Sequence, residues 1–101
     1  MGWATRAHAA LTQGETVHIR PRGHSMSGRI NDGDLVTVAP CDASSVRVGD
    51  AVFVRMHGGF LLHLVKAIQG DRVLIGNNRG KINGWVNKNA VIGKVIRVDP
   101  A

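Results

Sequence analysis

A serine hydroxyl is a weak nucleophile until a neighbouring base takes its proton. Two parts of this 101-residue chain could together supply such a pair. The first is Arg22-Gly23-His24-Ser25-Met26-Ser27-Gly28, where Ser25 sits between glycines and Met26 follows it. Glycines let a backbone turn sharply, so the hydroxyl can face a cleft while the methionine plugs the turn into a core. Taken alone, this stretch also reads as an ordinary Ser/Gly loop between two strands. The second part is Phe60-Leu61-Leu62-His63-Leu64-Val65-Lys66-Ala67-Ile68, which carries two candidate bases, His63 and Lys66. On a regular strand, positions three apart face opposite sides. His63 then shares a face with Leu61 and Val65, and Lys66 with Leu62 and Leu64. Both faces are apolar, so alternation does not choose between the two. A core histidine bonded to backbone and a lysine standing in solvent are the alternative readings.

The surrounding elements read as short strands joined by turns. Trp3 to Gln13 is alanine-rich, without Gly or Pro, and predicts a short helix ended by Gly14. It either packs on the domain or forms a loose arm, and residues 1–14 are taken as an arm preceding one β domain of residues 15–101. Glu15 to Arg20 alternates and predicts a half-buried strand that Pro21 stops. Leu35–Ala39, Ala51–Met56, Phe60–Ile68, Arg72–Ile75 and Ala90–Val98 predict five more, and His57-Gly58-Gly59 predicts a tight hairpin turn. Gly93, inside the last strand, signals a bulge or a close backbone approach. Gly76 to Asn89 reads mostly as loop, anchored by Trp85-Val86. About six short strands imply a mainly β fold: a small, curled, antiparallel sheet or partly closed barrel with a short N-terminal helix.

Composition narrows the function classes. Hydrophobic residues make up 44% and charged residues 20%, the balance of one small globular domain. With four Phe and Trp residues and no Tyr, the core must be built mainly from Val, Ile and Leu. Cys41 is the sole cysteine, which rules out an internal disulfide and a multi-cysteine metal site. No cofactor or metal is expected. The net charge of +6 favours anionic partners. The basic residues are scattered, however, with no interleaved aromatic set, so nucleic-acid binding is permitted by charge but has no motif behind it. No apolar run is long enough to span a membrane and no signal peptide is evident, so a cytoplasmic location is expected. No motif sets an oligomeric state.

Four motifs, in order, resemble the serine peptidase superfamily of signal peptidase I and the LexA-type self-cleaving repressors. Ser25-Met26, with Ile30 and then Gly33-Asp34, is similar in spacing to the signal-peptidase pattern Ser-Met-x-Pro-Thr-Leu-x-x-Gly-Asp. Val48-Gly49-Asp50-Ala51-Val52-Phe53 is similar to the family's Gly-Asp-x-Val strand, and Val91-Ile92-Gly93-Lys94-Val95-Ile96 to its closing Val-x-Gly-x-Val strand. His63-Leu64-Val65-Lys66-Ala67-Ile68-Gln69-Gly70-Asp71-Arg72-Val73 resembles the bacterial segment Lys-Arg-Val-Val-Gly-x-Pro-Gly-Asp-x-Val. Aligned on Gly70-Asp71, the family lysine falls on His63, and the archaeal and endoplasmic-reticulum branch carries a histidine there.

The resemblance implies a peptidase acting on a protein or peptide, with Ser25 as nucleophile and His63 as general base. The Ser25 backbone N–H would contribute to an oxyanion hole. The resemblance also implies the small β fold of that superfamily. Gly28 replaces the family proline, and Gly76-Asn77-Asn78 lacks the carboxylate that the histidine branch usually supplies. Asn77 or Asn78 is then the candidate to orient the histidine. Within these 101 residues no counterpart is expected for the family's membrane anchor and large insertion, or for the repressor branch's Ala-Gly cleavage site and DNA-binding domain. A catalytically inactive β domain of the same fold, binding a peptide or protein, is the alternative.

Overall fold

The computed structural model describes residues 2–101. Valine and isoleucine favour the half-buried pleated surface of a sheet. Here they build one antiparallel sheet of seven strands. The elements are α1 (Trp3–Thr12), β1 (Val17–Ile19), β2 (Leu35–Pro40), β3 (Ala51–Met56), β4 (Gly59–Gln69), β5 (Arg72–Gly76), β6 (Ile82–Asn87) and β7 (Val91–Asp99). The strand order is β1-β2-β7-β3-β4-β5-β6, so β1 and β6 are the free edges and the sheet does not close. Register shifts interrupt the β2–β7, β3–β7, β4–β5 and β5–β6 ladders. Such irregularities bend and twist strands, which lets a small sheet curl around its contents. No helix among the described residues is long and apolar enough to cross a membrane.

Alternation divides the apolar side chains between two clusters. In β3, Ala51 and Phe53 join the first, and Val52, Val54 and Met56 join the second. In β4, Leu62 and Leu64 join the first and Val65 the second. The helix packs on the sheet: Ala7 and Leu11 are buried in the first cluster, and the serine stretch adds Met26 and Ile30 to it. Trp3 meets Phe53 at 6.0 Å between ring centroids, and Phe53 stacks on Phe60 at 5.1 Å. Aromatic contacts of this kind contribute beyond the area they bury.

Two of the Gly-Asp pairs build the same turn. The Asp34 N–H donates to the Asn31 carbonyl at 3.0 Å, and the Asn31 N–H donates to Asp34 Oδ2 at 2.9 Å. The Asp50 N–H donates to the Arg47 carbonyl at 3.1 Å, and the Arg47 N–H donates to Asp50 Oδ2 at 2.8 Å. Each carboxylate thus closes the turn that launches a strand, Asp34 before β2 and Asp50 before β3. Lys94 of β7 adds an ion pair to Asp50 at 3.3 Å, tying the start of β3 to its neighbour.

The strands run close to their expected limits, with one addition. β6 lies inside the stretch that the sequence reads as loop. Asn83, Gly84 and Asn87 carry weak strand preference, and Gly84 takes φ +134. The strand forms because β5 offers it a partner, pairing Val73 with Val86 and Leu74 with Trp85. The His57-Gly58 turn has positive φ at both residues, 56° and 75°. That is the hairpin geometry matching strand twist. Gly93 is a close approach: a Cβ there would stand 2.8 Å from Val38 Cγ1 and 2.9 Å from the Ala39 carbonyl oxygen. Gly93→Ala is therefore expected to cost about 1–3 kcal/mol through overpacking. Urea unfolding of the two proteins, with the midpoint shifted down and the slope unchanged, checks this.

Candidate active site

The site forms where the sheet is incomplete. The first part of β4 is paired with β3, from Met56↔Gly59 to Ala51↔Leu64. On its other side, β5 covers it only from Leu64↔Gly76 onward. Residues 60–63 of β4 therefore present an open edge. The chain after β5 turns aside at Gly76, where a Cβ would stand 2.6 Å from the Lys81 carbonyl oxygen. Asn77 is buried and holds the turn, its Oδ1 accepting the N–H groups of Arg79 at 2.8 Å and Lys81 at 3.0 Å.

The serine stretch occupies the vacated space. Asn78 holds it from both ends of the residue: its backbone N–H donates to the Ser25 carbonyl at 2.9 Å and its Nδ2 donates to the Ser27 carbonyl at 2.7 Å. Local turns stiffen the stretch further, with the Ile30 N–H donating to the Met26 carbonyl at 2.7 Å and the Gly28 N–H to Asn31 Oδ1 at 3.1 Å. Gly28 takes φ +95, and a Cβ on it would come within 3.1 Å of Asn78 Nδ2. Proline holds φ near −65°, so the family proline cannot occupy this turn as this chain builds it.

Ser25 and His63 line one cleft of about 290 Å³, together with Met26, Phe60, Leu62 and Trp3. Ser25 is exposed and His63 half-buried. Alternation could not decide the direction of His63 because the cleft lies at the open edge of β4, where side chains of both faces reach it. Lys66 does not line this cleft. It falls at the register shift between Val65 and Ala67, under the cover of β5. Its stem lies beside Gly76, with Cγ 3.1 Å from where a Cβ would be.

His63 Nδ1 lies 2.6 Å from the Leu62 carbonyl oxygen. A carbonyl only accepts, so Nδ1 is the protonated nitrogen. The neutral ring then carries its lone pair on Nε2. Among the described residues Nε2 has no hydrogen-bond partner, and neither does Ser25 Oγ. The two groups share the cleft without a direct bond between them. Among the described residues the Ser25 and Met26 N–H groups likewise find no acceptor. Neither asparagine bonds the His63 ring: Asn77 Oδ1 accepts within its own turn, and Asn78 Nδ2 donates to the serine stretch. The expectation of an orienting side chain is thus met instead by a main-chain oxygen. Sequence carries no signal for that, since every residue has one.

Among the described residues no group of three or more His, Cys, Asp or Glu side chains gathers as metal ligands would. Cys41, at the end of β2, is half-buried, and burial pushes its thiol above the usual range, an effect that Lys94 partly offsets. The thiolate is the reactive form. Cys41 should therefore react with iodoacetamide at mildly alkaline pH more slowly in the folded protein than in the urea-unfolded chain, and mass spectrometry over time measures the ratio. The asparagines make a second, separable expectation. Asn77→Ala leaves two part-buried N–H groups without their acceptor and should cost about 2 kcal/mol. Asn78→Ala removes one exposed bond and should cost about 1 kcal/mol or less. Chemical denaturation orders the two.

A comparison with curated proteins finds no match. The family model described as Peptidase S24-like matches residues 4–96, from the helix to the last strand, and takes in every residue of the cleft lining except Trp3. On that match, the chain belongs to the Peptidase S24-like family.

Proposed function

We propose that this domain is a serine endopeptidase that cleaves a peptide bond in a specific protein or propeptide through a Ser25–His63 dyad. The observation that carries the reading is the His63 ring. Its Nδ1–H is held by the Leu62 carbonyl at 2.6 Å, which leaves Nε2 as the acceptor in the cleft that Ser25 lines. That is the tautomer a general base for a serine requires.

In the reaction, Ser25 Oγ attacks the substrate carbonyl carbon as Nε2 takes the hydroxyl proton. The oxyanion of the tetrahedral intermediate accepts a hydrogen bond from the Ser25 backbone N–H. The carbon–nitrogen bond then breaks, and the imidazolium returns the proton to the leaving amine. Water next attacks the Ser25 ester, giving one proton to Nε2. Collapse of the second intermediate frees the new carboxyl terminus and restores the Ser25 hydroxyl with that proton. The Leu62 carbonyl faces Nδ1–H throughout and favours the imidazolium formed in each half-reaction. A carbonyl is a weaker counterpart than a carboxylate. A slow enzyme with a preferred partner suits this arrangement better than a digestive one.

The test is intact-mass labelling with a serine-directed acylating probe. Wild type should gain a single adduct, and Ser25→Ala none. His63→Ala should slow labelling by about 10²–10⁴-fold, the usual contribution of a positioned base. Lys66→Ala should label like wild type. Absence of an adduct on folded wild-type protein would move the reading to an inactive peptide-binding domain of the same fold.

A further inference from the structure

We propose that the cleft selects an acidic segment of its protein substrate, with Arg20 and Arg22 holding a carboxylate side chain close to the scissile bond. The inference rests on the peptidase reading above and adds the substrate class to it. Arg20 and Arg22 stand on the cleft wall beside Ser25, and no Asp or Glu lines it. Among the described residues Arg20 has no carboxylate partner, and Arg22 has one ion pair, long and open to solvent. The Arg22 side chain is 81% exposed, and its acidic neighbour Asp32 lies 4.0 Å away. The Asp32 carboxylate already accepts the Gly23 N–H at 2.7 Å. Arg20 Nη1 donates to the Gly33 carbonyl at 2.9 Å, a neutral partner that orients the group and leaves its charge and remaining donors free. A guanidinium presents paired donors that match a carboxylate.

The same charge pattern continues away from Ser25. A second cavity, of about 490 Å³, shares Trp3 and Arg20 with the first and runs along the edge strand β1. Arg6 and His18 also line it. Between the polar groups the walls are apolar: Trp3 and Ala7 in the second cavity, Met26, Phe60 and Leu62 in the first. Alternating cationic and apolar surface fits a peptide that mixes acidic with aliphatic residues. A nucleic acid needs a continuous basic track and a row of stacking rings, and Trp3 is the lone indole here. A lysine at the same substrate position would meet uncompensated like charge, which adds rejection to selection.

The experiment uses the full chain carrying Ser25→Ala, immobilised on a biosensor, so that binding is read without turnover. The probe is a hexapeptide library of small and apolar residues in which one position at a time holds Glu or Gln. Glu at one position should bind about tenfold more tightly than Gln, as expected for one well-placed charge-assisted pair. The gap should narrow in about 0.5 M NaCl, where screening is strong. Arg22→Glu, at a side chain exposed enough to leave the fold intact, should abolish the preference, and Arg72→Gln, on β5 away from the cleft, should keep it. Equal binding of Glu and Gln at every position overturns the proposal. So does a preference that survives Arg22→Glu, or a single-stranded oligonucleotide that displaces the peptide equally from the Arg22→Glu and Arg72→Gln proteins. Loss of acylation on wild type with the Glu preference retained would remove the dyad and support the recognition. Acylation with no Glu preference would do the reverse.

Discussion

The turn after β5 is the constraint on which the site depends. A sheet saves free energy by pairing every strand along its length, and an unpaired edge inside a fold is a cost. β5 stops at Gly76, opposite Leu64, and leaves residues 60–63 of β4 uncovered. Asn77 makes that stop stable by accepting two N–H groups in a buried position. Asn78 then carries the consequence across the gap, bonding the carbonyls of Ser25 and Ser27. Two adjacent asparagines therefore divide the labour: one ends a strand, and the other fastens the serine stretch to the edge that this opens. The apolar side of that stretch, Met26 and Ile30, sinks into the core. Hydrophobic burial and main-chain hydrogen bonds thus hold Ser25 from two directions.

The same economy shapes the environment of His63. Members of the histidine branch that this chain resembles usually place a carboxylate near the base. Here the corresponding segment, Gly76-Asn77-Asn78, carries amides that bond backbone groups and not the His63 ring. The imidazole takes the carbonyl of the residue before it. Such a contact fixes the tautomer and the ring plane at little conformational cost, because donor and acceptor are neighbours in sequence. It contributes less electrostatic support to an imidazolium than an ionised partner would. In the proposed reading, the arginines of the cleft wall would favour an anionic substrate segment beside Ser25.

Belonging to the Peptidase S24-like family leaves room for local rebuilding, and Gly28 shows how it happens. A proline stiffens a turn by fixing φ at a negative value, whereas this chain stiffens the same turn through hydrogen bonds around a residue at φ +95. The two solutions cannot be exchanged one residue at a time. The Gly-Asp turns, in contrast, are self-contained. Asp34 and Asp50 each accept an N–H from within the same turn, so the motif carries its own geometry wherever it is placed.

That distinction separates what was legible in the sequence from what was not. Strand limits in β2, β3, β4, β5 and β7 follow from alternation and from turn residues, which act over a few positions. So do the His57-Gly58 hairpin and the close approach at Gly93. The resemblance that named the family rests on similarly local motifs. β6 was hidden because its own residues, Asn83 and Gly84 among them, do not favour a strand, and only the presence of β5 makes one. The candidates Ser25, His63 and Lys66 could be named from residue type, but not arranged. Alternation placed His63 and Lys66 on opposite faces of β4, yet the cleft is set by where β5 ends and not by a face. Asn77 and Asn78 were visible as polar residues in the segment that the resemblance set against the histidine, while their partners lie in their own turn and in the serine stretch. Local chain geometry belongs to the sequence; which groups meet at an edge depends on where a neighbouring strand stops, and that is decided only when the sheet is assembled.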